Sequence, residues 1–253
     1  KKNVKTIATD LDGTLFKGET LIDGVREAIL ELRENNIEIY FTTNNSSQSP
    51  SEIREKLVTL LNLEIDINKI ITPLIIFKDQ ISKKLNSIYI YGSDELKKYI
   101  ETLNVKIVNL SISDAILIGR KEINNEIEIK DIISQVQNGK QIFCLNKDLT
   151  YPTEYGEQPG NGAVVKIIED ELSINIQSLG KSGEIYPSYF KINNITINYV
   201  IGDRVDTDII FSKYLNATSF LVSSGVDNYL DKSLADYQLT NFSDIVPFVV
   251  ENS

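Results

Sequence analysis

The chain contains no histidine, no methionine and no tryptophan, and it has a single cysteine. The missing histidine removes several mechanisms together, because a Ser-His-Asp triad, a Cys-His pair, a histidine phosphocarrier and most zinc sites all need an imidazole. Carboxylates and lysines must then carry any catalysis. One cysteine cannot build an internal disulfide framework, and Cys144 lies in the apolar run Gln141-Ile142-Phe143-Cys144-Leu145, where a thiol is a small core group. The missing initiator methionine suggests a processed or trimmed numbering. No apolar run reaches about eighteen residues, so no membrane span is expected. Lys1 to Lys5 lead straight into an apolar strand pattern without the apolar stretch and cleavage site of a signal peptide, which makes a cytoplasmic location the simplest expectation.

Positive charge is also scarce: 26 Lys and Arg stand against 36 Asp and Glu, a net charge of −10. That balance argues against a general nucleic-acid surface, which needs a basic patch. A phosphate substrate stays open, but its positive partner must be local: a metal ion, a lysine or backbone N–H groups. With 253 residues, the chain is long enough to bury a substantial core as one large domain or two smaller ones.

What is present alternates strand and helix from end to end, which predicts an α/β fold with a mainly parallel sheet. Val4 to Leu11 reads as a buried strand, Gly24 to Asn35 as a helix and Ile37 to Thr43 as a second strand. Ser51 to Leu61 is helical, with Ile53, Leu57, Leu60 and Leu61 on one face. A second block follows, with strands Ser87 to Tyr91, Ala115 to Gly119 and Gln141 to Leu145, and helices Asp94 to Leu103 and Glu126 to Asn138. Asn146 to Gly162, rich in Pro, Gly and Thr, reads as a long loop of the kind that is functional or disordered. The first pattern resumes with a strand Ile195 to Ile201, a helix Asp206 to Asn216 and a strand Ser219 to Val222. The expected division is therefore a discontinuous core, residues 1–84 and 181–253, with an inserted α/β domain at 85–180.

Chemistry in such sheets sits at the carboxyl ends of the strands. Three polar clusters fall there: Asp10-Leu11-Asp12-Gly13-Thr14, Thr43-Asn44-Asn45, and Gly202-Asp203-Arg204-Val205-Asp206-Thr207-Asp208. An Asp-x-Asp-Gly turn after a strand is, alone, as readily ordinary turn chemistry as a site. The three clusters together, with a lysine at 181, point to a hard divalent cation, since dense buried carboxylates cost several kcal/mol per ion unless something positive pairs with them. Gly180-Lys181-Ser182 is not the tail of a P-loop, because Asn175 stands where that loop needs glycine.

These clusters resemble the haloacid dehalogenase superfamily. Asp10-Leu11-Asp12-Gly13-Thr14 is similar to its first motif, Phe41-Thr42-Thr43-Asn44-Asn45-Ser46-Ser47 to its second, Gly180-Lys181 to its third, and Gly202-Asp203 through Thr207-Asp208 to its fourth. Tyr151-Pro152-Thr153-Glu154-Tyr155-Gly156 with Pro159-Gly160-Asn161-Gly162-Ala163 is similar to the cap of the NagD-like, 4-nitrophenylphosphatase-like branch, which inserts a large α/β cap between the second and third motifs. The resemblance spans essentially the whole chain and implies a three-layer, Rossmann-like parallel-sheet core with that cap.

The resemblance also implies roles. Asp10 is the expected nucleophile, forming an aspartyl-phosphate. Asp12 is the expected general acid and then base. Mg2+ is expected on the Asp10 and Asp203 carboxylates and the Asp12 carbonyl, with Asp208 orienting its waters. Thr43, the Asn44 N–H and Lys181 are expected to hold the phosphoryl oxygens. Asn45, Asn146, Asp148 and Tyr151, with Glu154, are the weaker candidates for the leaving group. An aspartate at 12 favours a phosphatase over the ion-pump branch, which carries threonine there, and over dehalogenases, which need neither that aspartate nor a metal. The family usually has proline after the motif lysine, and this chain has Ser182, which puts the geometry of that loop in question. The expectation is magnesium-dependent hydrolysis of small phosphate monoesters, 4-nitrophenyl phosphate among them, with no nucleic-acid or membrane partner and pairing of two copies through the cap. A phosphotransferase or mutase on the same scaffold and a non-catalytic phosphometabolite binder are the alternatives.

Overall fold

The computed structural model describes residues 4–153, 155–223 and 234–251. Glu154 lies outside the described residues. The chain divides into two compact units, one made of Lys1–Thr43, Pro50–Ile71 and Phe190–Ser253, the other of Asn44–Ser49 and Thr72–Tyr189. The cuts expected at 84/85 and 180/181 both fall inside the second unit.

The first unit opens with strands β1 (Thr6–Thr9), β2 (Glu38–Thr42) and β3 (Ile70–Ile71). The second unit carries β4 (Ser87–Tyr91), β5 (Lys106–Ile107), β6 (Ala115–Ile118), β7 (Gln141–Cys144) and β8 (Gln177–Ser178). The chain then returns to the first unit with β9 (Tyr199–Gly202), β10 (Thr218–Val222) and β11 (Tyr237–Leu239).

In the first unit the strands form one parallel sheet in the order β11-β10-β9-β1-β2-β3. Every residue of β1 is buried, as expected of a central parallel strand covered on both faces. The helix Val25–Glu34 buries Val25, Ala28, Ile29 and Leu32, a spacing that lays one stripe against the sheet. Helix Pro50–Leu61 does the same with Ile53, Leu57 and Leu61, and all of these join one apolar core with Ile7, Ile39 and Ile201. Strand order reverses between β1 and β9: the chain steps outward from β1 through β2 to β3, then restarts on the other side at β9. Crevices at such reversals are where open α/β sheets bind ligands.

The second unit has its own parallel sheet, β8-β7-β6-β4-β5, again with the reversal beside its first strand, between β4 and β6. Helices Glu126–Gln137 and Gly162–Leu172 cover it through Ile129, Ile132, Val164, Val165 and Ile168. Asn125 caps the former by accepting the Glu128 N–H at 3.1 Å. Cys144 is fully buried in this core, where burial, the largest influence, pushes its thiol up to about 12. That fits a packing role.

Two local features differ from the expected pattern. Within Asn146 to Gly162 the chain forms an antiparallel hairpin, Thr150–Thr153 with Gly156–Pro159, turned at Gly156 with φ 98°. A second small hairpin, Phe16–Lys17 with Thr20–Leu21, follows the Asp10 loop. No described helix is long and apolar enough to cross a membrane.

Candidate active site

Asp10 follows β1 directly, and its N–H continues the ladder by donating to the Ile201 carbonyl at 2.9 Å. The next residues turn sharply: Leu15 N–H donates to Leu11 O at 2.8 Å and Gly13 N–H to Phe16 O at 2.8 Å. Gly13 takes φ 80°, a left-handed conformation that glycine adopts without a Cβ clash. The turn thus holds Asp10, Asp12 and Thr14 in a fixed succession, with the Thr14 hydroxyl 3.5 Å from an Asp10 carboxylate oxygen. Thr43 extends β2 in the same way, its N–H donating to Ile71 O at 3.1 Å, and it is buried.

Asp203 and Asp208 come from the segment after β9. Backbone N–H groups of both Asp208 and Ile209 reach back to the Arg204 carbonyl, at 2.9 and 3.3 Å, so the chain makes one wide turn before the helix Ile210–Leu215. That turn swings the Asp208 carboxylate back over the strand end, where it accepts the Arg204 N–H at 3.2 Å. It also explains Gly202: a Cβ there would sit 2.1 Å from the Asp208 Cγ, an overlap no side chain could survive. Arg204 itself clasps Asp206 through two nitrogens, at 3.0 and 2.8 Å.

The result is that single carboxylate oxygens of Asp10, Asp203 and Asp208 all lie within 4.8 Å of one another, and Asp203 and Asp208 are buried. At an effective dielectric of about 20, each such pair repels by about 3 kcal/mol. Hard, anionic, closely spaced oxygens suit a divalent cation such as Mg2+ or Ca2+, so this donor set fits the expected metal. Asp208, expected only as an outer-shell residue, has its carboxylate in the same cluster as Asp10 and Asp203.

In the second unit Asn44, Asn146, Asp148 and Lys181 are tied into one network. The Asn44 side chain accepts the Lys181 backbone N–H at 2.7 Å and donates to both oxygens of Asp148, at 3.2 and 3.4 Å. Asn146 uses both ends of its amide, donating to Asn44 O at 2.7 Å and accepting the Asp148 N–H at 3.1 Å, so it braces the loop. Asn161, which the sequence reading assigned no role, donates to Asn146 O at 2.7 Å from a buried position. Gly160 and Gly162 let this loop pack backbone on backbone: a Cβ would lie 2.3 Å from Asp148 O at the first and 2.3 Å from Lys147 O at the second. Asn45 turns to its own neighbours, accepting from the Ser47 N–H and hydroxyl at 2.9 and 2.8 Å. Lys181 is buried, and its turn closes without the usual proline, Gly183 N–H donating to Gly180 O at 3.0 Å. Tyr151 receives a hydrogen bond from Arg120.

Residues 7–106 match the model of the haloacid dehalogenase-like hydrolases. An acid sugar phosphatase of Staphylococcus epidermidis is 29% identical over 235 residues, which is 91% of this chain and 90% of that protein. Over residues 7–106 the chain is similar to the haloacid dehalogenase-like hydrolases. The curated relatives it matches over about nine-tenths of its length are named as phosphatases. The fold agrees over nearly the full length: a p-nitrophenyl phosphatase from Archaeoglobus fulgidus superposes with a TM-score of 0.86 at 22% identity, covering 97% of this chain and 99% of that one. A glycerol phosphate phosphatase from Mycobacterium tuberculosis, solved in complex with magnesium, superposes with a TM-score of 0.80 at 22% identity, over 95% of this chain and 76% of that one.

Proposed function

We propose that this phosphatase hydrolyses small phosphate monoesters through an aspartyl-phosphate on Asp10, with Mg2+ as its metal. The convergence of Asp10, Asp203 and Asp208 carboxylates at the strand reversal of the first sheet supports this reading most strongly. Asp10, Asp203 and the Asp12 carbonyl are the proposed ligands, with Asp208 beside them. When bound, the cation neutralises the carboxylates and the phosphoryl oxygens, so that anion can approach anion.

The chain's own groups do the rest. A carboxylate oxygen of Asp10 attacks phosphorus in line with the ester oxygen, and the bond to that oxygen breaks. Asp12 gives the departing oxygen its proton, which releases the alcohol. Asp12, now ionised, takes a proton from water; the water oxygen attacks phosphorus, the bond to Asp10 breaks and inorganic phosphate leaves. Proton count and charge return to their starting values. Thr43 offers a hydroxyl to the phosphoryl oxygens, and by the likeness of their motifs the Asn44 N–H and the Lys181 ammonium are assigned there too. Asn45, Asn146, Asp148 and Tyr151 are proposed to select the leaving group, Asn146 by holding its loop.

We take residues 85–180 as the inserted cap, the enzyme as cytoplasmic, and the pairing of two copies as running through that cap. Relatives named for sugar phosphates, glycerol phosphate and nitrophenyl phosphate make those esters the first panel to test. Phosphate release should require Mg2+ and should fall by several orders of magnitude in Asp10→Asn. Undiminished release by that variant would sink the nucleophile assignment.

A further inference from the structure

Phe16 holds the backbone on both sides of Asp12. The Gly13 N–H donates to the Phe16 carbonyl at 2.8 Å, and the Phe16 N–H reaches the Leu11 carbonyl at 3.5 Å. Phe16 also pairs with Asp12 as an isolated bridge. Any shift of the Phe16 backbone is therefore passed on to Asp12. Phe16 in turn opens the small hairpin that follows the Asp10 loop, whose ladder has only two residue pairs, Phe16 with Leu21 and Lys17 with Thr20. A ladder that short does not hold itself in water, so the place of Phe16 is set by what packs on it.

Its ring is buried in the core of the first unit, and the Lys56 ammonium stands 4.4 Å from the ring centroid. The same ammonium lies 3.4 Å from the carboxylate of Glu19, in the turn of the hairpin. Lys56 thus touches the hairpin at its first strand and at its tip. Helix Pro50–Leu61 presents the lysine, and Ile53 and Leu57 beside it anchor that helix in the same core. The two contacts are unequal. Glu19 is exposed, so its ion pair is screened by water and contributes little. The Phe16 ring is buried, so the ammonium meets its π-face with less water to compete, while the lysine stem adds apolar cover.

We infer that Lys56 is a positioning residue for Asp12: by clamping the Phe16 ring it fixes the turn from which Asp12 exchanges its proton. General acid–base catalysis needs hydrogen-bond reach, and a displacement of about 1 Å can cost about a hundredfold in rate. The inference rests on the proposed function for the task of Asp12, whereas the clamp itself stands on the contacts of Lys56.

The test compares Lys56→Met, which keeps an apolar stem and removes the charge, with Lys56→Arg, whose guanidinium can stack on the same ring. The measure is kcat/KM, which reports the first transfer, to Asp10, where Asp12 protonates the leaving oxygen. For glycerol phosphate it should fall about tenfold in Lys56→Met, because a poor leaving group needs that proton. For 4-nitrophenyl phosphate it should change by no more than about twofold, and Lys56→Arg should restore most of the value for glycerol phosphate. In an Asp12→Asn background, adding Lys56→Met should alter neither value, since the two residues act as one unit. A merely structural lysine, or one that disturbs the metal, would lower both esters alike. Equal losses, no loss, or an undiminished loss in the Asp12→Asn background overturn the inference. Asp12→Asn by itself separates this from the proposed function: if it slows both esters equally, the proton role of Asp12 fails, whatever Lys56 does. Hydrogen exchange without substrate then decides the clamp, with amides from Gly13 to Leu21 exchanging faster in Lys56→Met and recovering in Lys56→Arg. Unchanged exchange would overturn it.

Discussion

The two units build the same kind of edge and furnish it with opposite chemistry. Each has a parallel sheet whose order reverses beside its first strand. In the first unit the edge is acidic, with Asp10, Asp12, Asp203 and Asp208 drawn from two neighbouring strand ends. In the second unit amides predominate: Asn44, Asn146 and Asn161 are laced together with the Lys181 backbone and a single carboxylate, Asp148. The difference teaches that backbone topology chooses the place, and side-chain charge chooses the task. Crowded carboxylates call for a cation, whereas an edge laced by amides holds its loops by hydrogen bonds.

The most damaging change to the acidic edge short of losing Asp10 should be Asp12→Asn, which keeps the shape and removes the exchangeable proton. Loss of a general acid and base of this type costs about 10²–10⁴-fold in rate. The loss should be smaller for 4-nitrophenyl phosphate, whose leaving group needs little protonation, than for an alkyl ester such as glycerol phosphate. Equal losses on the two esters would remove Asp12 from the proton transfer.

A smaller effect is expected at Gly202→Ala. The new methyl cannot share space with the Asp208 carboxylate, so Asp208 must swing away from Asp10 and Asp203. A displaced ligand or ligand-orienting group typically costs about tenfold to a hundredfold in metal affinity. Titrating activity against Mg2+ should show a raised half-saturation point with much of the maximal rate recovered at high metal. An unchanged titration would show that Asp208 contributes nothing to the metal.

The edge of the second unit should fail differently. Gly162→Ala places a methyl 2.3 Å from the Lys147 carbonyl and should push the Asn146–Asp148 loop off Asn161. Overpacking of this kind costs about 1–3 kcal/mol. Calorimetry should record a lower unfolding midpoint, and substrate preference should change more than the rate on 4-nitrophenyl phosphate. A variant with unaltered stability would contradict close backbone packing at Gly162.

Much of this was legible in the sequence because parallel strands announce themselves as apolar runs and end in polar residues. β1, β2, β4, β6, β7, β9 and β10 all fall within or against the expected strands, and Asp10, Thr43 and Asp203 were found by looking one residue past them. Other features could not be read along the chain. The hairpin Thr150–Thr153 with Gly156–Pro159 has an exposed second strand and prolines in both, so no apolar alternation signals it. The meeting of Asp208 with Asp10 depends on a wide turn at Arg204, and only the backbone geometry shows that five residues of separation bring the carboxylate back to the strand end. Asn161 looks like an ordinary loop residue until its amide is seen donating to the Asn146 carbonyl, while the Asn146 amide donates to the Asn44 carbonyl.

The central claim is that Asp10 carries the phosphoryl group, and trapping it during turnover tests that most directly. Enzyme mixed with Mg2+, 4-nitrophenyl phosphate and borohydride should be reduced at its acyl phosphate, so that mass spectrometry of the peptide spanning Asp10 finds homoserine at that position in a substrate-dependent manner. An enzyme that turns over under the same conditions with Asp10 unaltered, or with the modification on another carboxylate, would contradict the account.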